Sequence, residues 1–384
     1  MNNDPILTEI SDRRADDRTR FYGGVAEAVI ASAPVGSTFY AVGFDNVDAL
    51  LRAGYRGVEA PLDADVVIAC GGEREFCAAR QAASDGQKLV LFPTHAFFAA
   101  ASEYYRAADG AFATVKHGAK PYAAAFDRNA VDLNHASIFG EIAALDLCAF
   151  ELVFSARMRG EKPPVETARE VSELVSKLTA TLKNNEKDRA ATAELLVDAG
   201  KQAALLVADN PALLHGSGAA QMSEAVRMLY AAEERPLGMR GETEMLLCSF
   251  VIDFYIKNSG GAPLEFPPDN NKRMDRLCEY LGADLPRACL YTSPVYPPLK
   301  MRLCEYRLGE FRAELLSLLS ALKTRQAAAF RVFKRLYPDD GYGIKTMIDR
   351  ADLGICLALA PDAFAADTML SYLKQTGILE KYIV

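Results

Sequence analysis

The chain has 384 residues, half of them hydrophobic and 24% charged, with 26 glycines and 18 prolines. This is the composition of a folded globular protein long enough for two domains, and it excludes disordered and collagen-like chains. The net charge is −8, and no run of lysine and arginine is longer than a pair. Proteins that bind nucleic acid concentrate positive charge, so we do not expect nucleic acid as a partner.

Sequence signals for export and membrane insertion are weak. Residues 1–21 carry charge throughout and lack the apolar core of a secretory signal. No uncharged apolar stretch is long enough to span a bilayer. The eight cysteines are scattered through apolar segments without a Cys-x-x-Cys motif, which is typical of reduced thiols. We therefore predict a cytoplasmic protein that does not use a membrane.

The first 135 residues alternate between strand-like and helix-like patterns. Three short, continuous apolar runs predict buried parallel strands: Thr38–Phe44, Asp65–Cys70 and Lys88–Thr94. Helical patterns at 46–53 and 75–84 separate them, and a weaker run at 122–127 predicts a further strand. Strands separated by helices indicate β-α-β units and a right-handed parallel sheet. Residues 1–135 are thus predicted to form an α/β, Rossmann-like domain of the kind that binds dinucleotides.

From residue 136 onward the apolar residues recur every three or four positions, which is typical of helices. The predicted helices are 140–159, 165–182, 187–207, 217–232, 241–257, 272–281, 299–336, 344–359 and 363–376. Proline pairs and single prolines punctuate them, and a break in the longest run is expected near Gly309. Residues 136–384 are therefore predicted to form an all-helical domain.

Two features at the ends of predicted strands suggest a phosphate site. Gly71-Gly72 lies where a strand ends and a helix begins, where free backbone N–H groups and the helix dipole favour anions. Thr94 ends the next strand, where its hydroxyl can reach a phosphate or a ribose. The alternatives are a tight strand-to-helix connection at the glycines and a simple turn at Thr94.

The order strand, Gly-Gly turn, helix, strand, Pro-Thr, helical region resembles the dehydroquinate synthase-like superfamily, which includes the iron-containing alcohol dehydrogenases. Three N-terminal segments carry the resemblance: 21–33, 64–79 and 90–102. Ser217–Gln221 and Arg240–Glu242 look similar to segments of the glycerol-1-phosphate dehydrogenases, as does the C-terminal stretch 369–382. The resemblance covers nearly the whole chain, and that group is the closest comparison.

The resemblance implies a cofactor, a substrate class and an assembly. The cofactor would be NAD or NADP, lying along the Gly71-Gly72 edge. Asp45 follows the first strand, where the family contacts a ribose; an aspartate there favours NAD over NADP, although a plain turn residue explains it equally well. The substrate would be a small polyol or polyol phosphate in an interdomain cleft near the helical-domain site. A homo-oligomer is expected.

The predicted metal site departs from the family pattern. The family holds zinc or iron with one carboxylate and two histidines, and Glu141 matches the carboxylate. The first histidine position falls at Gln221, or at Ala220 if the gap is placed differently, and the second falls at Arg240. His215, six residues before Gln221, is the alternative ligand for a rearranged site. Glutamine is a poor ligand for either metal and arginine cannot be one, so we expect the metal to be absent. Glu141, Gln221 and Arg240 remain the candidate catalytic residues.

Arg240 has three possible roles. It could stabilise a developing alkoxide as a fixed cation, bind a ligand's phosphate or carboxylate, or form a structural salt bridge with Glu141.

The cofactor turn departs from the pattern as well. Glu73 replaces the family's third glycine, and a carboxylate there would repel a diphosphate. Arg74 could offset that charge by pairing with Glu73 or by reaching the phosphates itself. Alternatively, Glu73 caps the free N–H groups and the dinucleotide site is empty.

Three functions follow from these observations. The first is an NAD(P)-dependent oxidoreductase of a small polyol or its phosphate, in which Arg240 stands in for the metal. The second is a catalytically silent relative that binds a small anionic ligand or a protein partner. The third is a metal-independent lyase or synthase, for which the sequence offers no particular support.

Overall fold

The computed structural model describes residues 19–43, 47–84, 86–95, 101–109, 112–126, 131, 134–184, 188–235, 238–259, 275, 278–279, 301–337, 348–349, 351–364, 366–379 and 382. The chain separates into two compact units. The first comprises Met1–Ala107, Val115–Ile138 and Lys187–Leu214, and the second comprises Ala108–Thr114, Phe139–Glu186 and His215–Val384. Within the described part of the chain, no helix combines the length and apolar character needed to cross a membrane.

The first unit is built on a six-stranded parallel sheet. Its strands are β1 (Arg20–Tyr22), β2 (Thr38–Val42), β3 (Arg56–Gly57), β4 (Val66–Gly71), β5 (Lys88–Pro93) and, further along the chain, β8 (Ala123–Ala125). Their order is β1-β8-β5-β4-β2-β3, and every pairing is parallel. All four predicted strands are confirmed. The sequence analysis missed β1 and β3, and also β6 (Tyr104–Asp109) and β7 (Phe112–His117), which form a separate two-stranded sheet.

The sheet is covered on both faces, which explains why its strands are continuously apolar. The first part of the chain contributes α1 (Val25–Ser32), α2 (Asp48–Arg52) and α3 (Glu73–Ala82). Val66 and Ile68 of β4 belong to one buried cluster with Val29 of α1. Val67 lies between them in sequence and belongs to another cluster, with Phe76 of α3. Because successive side chains point to opposite faces, both sets of positions must be apolar.

The rest of the described chain is helical, as predicted. The helices are α4 (His135–Arg159), α5 (Val165–Asn184), α6 (Arg189–Asp209), α7 (Gly218–Ala232), α8 (Arg240–Asn258), α9 (Met301–Leu336), α10 (Asp352–Ala363) and α11 (Met369–Gln375). Helix α9 continues through Gly309, so the expected break is wrong. The predicted helix at 272–281 lies largely outside the described residues. Helix α6, which the sequence analysis assigned to the helical domain, belongs to the first unit.

Candidate functional site

The glycine turn lies at the carboxyl end of β4. Gly71 ends the strand with a φ of +137°, a value that L side chains rarely adopt, and Gly72 is the N-cap of α3. Thr94 directly follows β5, and its backbone N–H donates to the Gly71 carbonyl over 2.9 Å. Its hydroxyl lies 3.2 Å from the same oxygen. The structure therefore brings together Gly71, Gly72 and Thr94.

A carboxylate of the protein itself occupies this turn. Glu75 accepts a hydrogen bond from the backbone N–H of Gly72, with an Oε2–N distance of 3.0 Å. A Cβ added at Gly71 would lie 2.7 Å from Glu75 Oε2, and one added at Gly43 would lie 2.7 Å from Glu75 Cγ. The glycines thus leave room for the Glu75 side chain.

The sequence analysis missed Glu75 and discussed Glu73 instead. The available signal was spacing, because a glutamate three residues after an N-cap is typical of a capping box. Glu73 is half-buried in the same first turn of α3. Arg74 is exposed there, and Asp45 lies outside the described residues.

His95 covers the turn beside Gly72. A side chain at Gly72 would collide with the imidazole ring. The ring nitrogen Nδ1 lies 3.0 Å from the Thr94 hydroxyl. Burial lowers the pKa of His95, while the negative charges of Glu73 and Glu75 act in the opposite direction. The net effect is a lowered pKa, which disfavours the positively charged form of the ring.

In the second unit, helices α4 and α8 make a close contact at two glycines. A Cβ added at Gly140 of α4 would collide with the carbonyl of Gly241 in α8. The candidate residues Glu141 and Arg240 are the sequence neighbours of these glycines, one on each helix. Glu141 is buried, with 4% of its surface exposed. The crossing therefore brings these two positions to the same part of the helical unit.

Arg240 forms an ion pair within its own helix. Its Nε donates to Glu244 Oε1 over 2.6 Å, and the Glu244 side chain is only 4% exposed. The sequence analysis considered a salt bridge with Glu141 and missed Glu244. The i,i+4 spacing was the available signal, because residues four apart are neighbours on a helix surface.

Gln221 is fully buried in α7 and holds the segment between α10 and α11. Its Nε2 donates to the Phe364 carbonyl over 2.8 Å and to Ser371 Oγ over 3.1 Å. Its Oε1 accepts a hydrogen bond of 2.7 Å from the Thr368 hydroxyl. Both polar atoms of the amide are therefore engaged by the protein, which is the environment of a structural residue.

Two of the residues that the sequence analysis aligned with the family's metal ligands, Gln221 and Arg240, do not suit a zinc or iron ion. The Gln221 amide is occupied by the 364–371 segment, and Arg240 is a permanent cation. Among the described residues, no three histidine, cysteine, aspartate or glutamate side chains are grouped so that they could hold a metal.

A second buried carboxylate lies further along α4. Glu151 accepts hydrogen bonds from the Tyr255 hydroxyl (2.6 Å), the Gly218 N–H (3.2 Å) and the Met369 N–H (2.7 Å). Burial raises its pKa to about 7, and the three hydrogen bonds act in the opposite direction. Glu151 links α4 to α7, α8 and α11, and the only sequence signal for it was a glutamate within an apolar helix.

No protein-family model and no curated protein sequence matches this chain. Solved structures do match over 95% of its length. An alcohol dehydrogenase from an archaeon of a Red Sea brine pool has a TM-score of 0.55 at 12% identity, with 96% of that chain covered. A 1,3-propanediol oxidoreductase has a TM-score of 0.55 at 12% identity, with 98% of that chain covered. The maleylacetate reductase of Agrobacterium tumefaciens has a TM-score of 0.54 at 13% identity, with 95% of that chain covered.

These neighbours are enzymes of the iron-containing alcohol dehydrogenase family. The chain has the fold of the iron-containing alcohol dehydrogenases. The predicted architecture is confirmed, a Rossmann-like α/β region followed along the chain by a helical one. At identities of 12–13% this likeness concerns the fold alone.

Proposed function

We propose that this protein is an NAD(P)-dependent oxidoreductase that acts on a small polyol or polyol phosphate. The observation that carries the proposal is the Gly71-Gly72 turn, at the carboxyl end of β4 and in contact with Thr94, within the iron-containing alcohol dehydrogenase fold. Ligands of open parallel sheets bind at the carboxyl ends of the strands. The neighbours that share the fold are named as a dehydrogenase, an oxidoreductase and a reductase.

The turn suits an anionic ligand because it already holds an anion. The Glu75 carboxylate takes the Gly72 N–H at the start of α3, where the helix dipole also favours negative charge. In the proposed complex a diphosphate oxygen takes that N–H instead. A bound nicotinamide dinucleotide supplies a hydride donor or acceptor. The chain's own contribution is to bind and orient it at the edge formed by Gly71, Gly72 and Thr94.

Arg240 is the residue we propose for the substrate in the helical unit. Its side chain is 19% exposed, and Glu244 holds its guanidinium in place. A fixed guanidinium can bind a phosphate through two parallel hydrogen bonds or stabilise a developing alkoxide. Glu141 lies at the same helix crossing, whereas the contacts of Gln221 favour a structural role for that residue.

A thermal-shift titration of the full chain with NAD(H) and NADP(H), each with and without zinc, tests this proposal. A ligand that binds the folded state raises the melting temperature by mass action. We expect a saturable increase with one dinucleotide and the same increase when zinc is present. Adenosine, which lacks the diphosphate, serves as the control and should give little shift. A protein that responds to none of the four dinucleotides would contradict the proposal.

A catalytically silent relative, binding a small anionic ligand or a protein partner, is the second candidate. It is favoured by one specific observation: the protein's own groups occupy both the Gly72 N–H and the Gln221 amide. If no dinucleotide raises the melting temperature but inorganic pyrophosphate does, this candidate is favoured over the first.

We also propose that the protein forms a homo-oligomer. Light scattering of the purified protein tests this by measuring its mass in solution.

A further inference from the structure

We propose that Glu75 is a built-in competitor of the dinucleotide: its carboxylate occupies the Gly71-Gly72 turn and must leave before a diphosphate can bind. This inference rests on the proposed function, since it assigns a residue that limits the affinity of the same site. It concerns Glu75 and not Glu73, the carboxylate that sequence reasoning had selected.

Glu75 already holds a backbone donor of the turn. Glu75 Oε2 lies 3.0 Å from the backbone nitrogen of Gly72, the N-cap of α3. A backbone N–H has one proton to donate, so a phosphate oxygen and the Glu75 carboxylate compete for it. The N-terminus of a helix is where a diphosphate gains most from backbone donors, and here one of those donors is already used.

Glu75 also takes up space at the turn. The Glu75 side chain lies against the positions where Gly43 and Gly71 lack a Cβ, with hypothetical contacts of 2.7 Å at both. The imidazole of His95 closes the turn at Gly72. The space beside Gly71 is therefore taken by the Glu75 carboxylate, and the space beside Gly72 by His95. A diphosphate cannot enter that volume while Glu75 keeps this rotamer.

The charge of Glu75 and the freedom of its side chain to move also affect binding of a diphosphate. Two anions within a few ångströms repel each other, so a diphosphate also opposes the charge of a retained Glu75. Glu75 is half-buried, so we expect its side chain to rotate outward without unfolding α3. The expected result is a dinucleotide site of reduced affinity, and not a closed one.

Isothermal titration of the full chain with the dinucleotide that gives the thermal shift tests this inference. We expect Glu75→Ala to lower Kd about tenfold, which corresponds to about 1.4 kcal/mol. Glu75→Gln removes the charge but keeps an acceptor for the Gly72 N–H, so we expect a smaller decrease. Glu73→Gln is the matched control: it removes the same charge from the same turn and leaves the Glu75 hydrogen bond intact. Its Kd should change by less than about threefold.

Hydrogen exchange of the Gly72 amide, measured without ligand, gives a second readout that does not depend on activity. The amide should exchange faster in Glu75→Ala than in the wild type, because this variant loses the acceptor. In Glu73→Gln it should exchange at the wild-type rate, because the acceptor is kept. Glu75→Gln keeps the test decisive in case the alanine variant does not fold.

The possible outcomes separate this inference from the proposed function. A tighter Kd in both Glu75 variants, with a Kd for Glu73→Gln that changes by less than about threefold, supports the inference. A decrease in Glu73→Gln as large as that in Glu75→Ala would show a general effect of charge and overturn the inference. If the wild type binds and the Glu75 variants bind equally well or more weakly, the inference is overturned and the proposed function stands. If no variant binds any dinucleotide, the proposed function fails and the competitor role fails with it.

Discussion

The glycine turn of the first unit and the α4–α8 crossing of the second present different kinds of chemical group. At the turn these are backbone N–H groups and a helix dipole, which are present although Glu73 and Glu75 are acidic. At the crossing, Gly140 and Gly241 bring two backbones together, and any chemistry there would come from side chains. A substitution can remove a side-chain ligand outright, whereas it leaves backbone groups in place.

Backbone groups remain at a turn when a side chain is substituted, whereas a site made of side chains depends on the residues themselves. In the helical unit, Gln221 links α7 to the 364–371 segment, and Arg240 forms an ion pair with Glu244. We therefore expect substitutions at these two positions to change the stability of the helical unit.

Arg240→Ala is expected to have the largest effect. It leaves the buried Glu244 carboxylate without the guanidinium, and breaking a buried ion pair costs about 3–5 kcal/mol. Urea denaturation measures the free energy of unfolding. Arg169→Ala removes an exposed arginine that pairs with Glu166, and it should cost less than about 1 kcal/mol. Equal effects of the two substitutions would show that Arg240 is not part of the helical unit's stability.

The pH dependence of stability comes next in size. The pKa of Glu151 is raised from its ordinary 4.5 to about 7 in the folded chain, so between these values the folded state binds more protons than the unfolded state. The free energy of unfolding therefore falls as the pH rises from about 4.5 to about 7, and the change is of the order of 3 kcal/mol.

Urea denaturation across this pH range checks the prediction for Glu151, with Glu151→Gln as the comparison. The variant should show a flatter profile, because its amide does not titrate. A wild-type profile as flat as that of the variant would contradict the raised pKa.

Gln221→Ala should destabilise the helical unit by about 2 kcal/mol. The substitution removes the hydrogen bonds that the buried amide makes with the Thr368 hydroxyl and the Phe364 carbonyl. Gln202→Ala, at a half-buried position of α6, is the control and should cost less than about 1 kcal/mol. If the Gln221 variant is as stable as this control, Gln221 is not a structural residue.

The smallest expected effect on stability is at the turn. Glu75→Ala removes a helix cap and should lower the free energy of unfolding by about 1 kcal/mol in the absence of ligand. Differential scanning fluorimetry without ligand measures it, with Glu73→Gln as the reference. An unchanged melting temperature would indicate that the cap contributes nothing to the folded state.

The sequence predicted the sheet and the long helices because their signals are local. Continuous apolar runs at β2, β4 and β5 and the three- to four-residue periodicity of α4–α8 suffice for that. Strands β1 and β3 have three and two residues, too few for a pattern, and they exist because a neighbouring strand pairs with them.

The site was predicted only where it depends on local sequence. The Gly71-Gly72 turn and its neighbour Thr94 were found, and the structure brings them together. The environment of Gln221 could not be read, because its partners lie about 145 residues further along the chain. The roles of Glu75 and Glu244 could have been predicted from spacing, since Glu75 lies three residues after the N-cap Gly72 and Glu244 lies four residues after Arg240. The resemblance to the family pattern pointed to Glu73 and Glu141 instead.

The most direct test of the comparison is isothermal titration of the full chain with NADH and with NADPH, after dialysis against EDTA and again after loading with zinc. If the turn is a working backbone site and the residues aligned with the metal ligands hold no zinc, one dinucleotide binds with the same Kd in both preparations. A Kd that changes with zinc, or stoichiometric binding of zinc itself, would contradict this account.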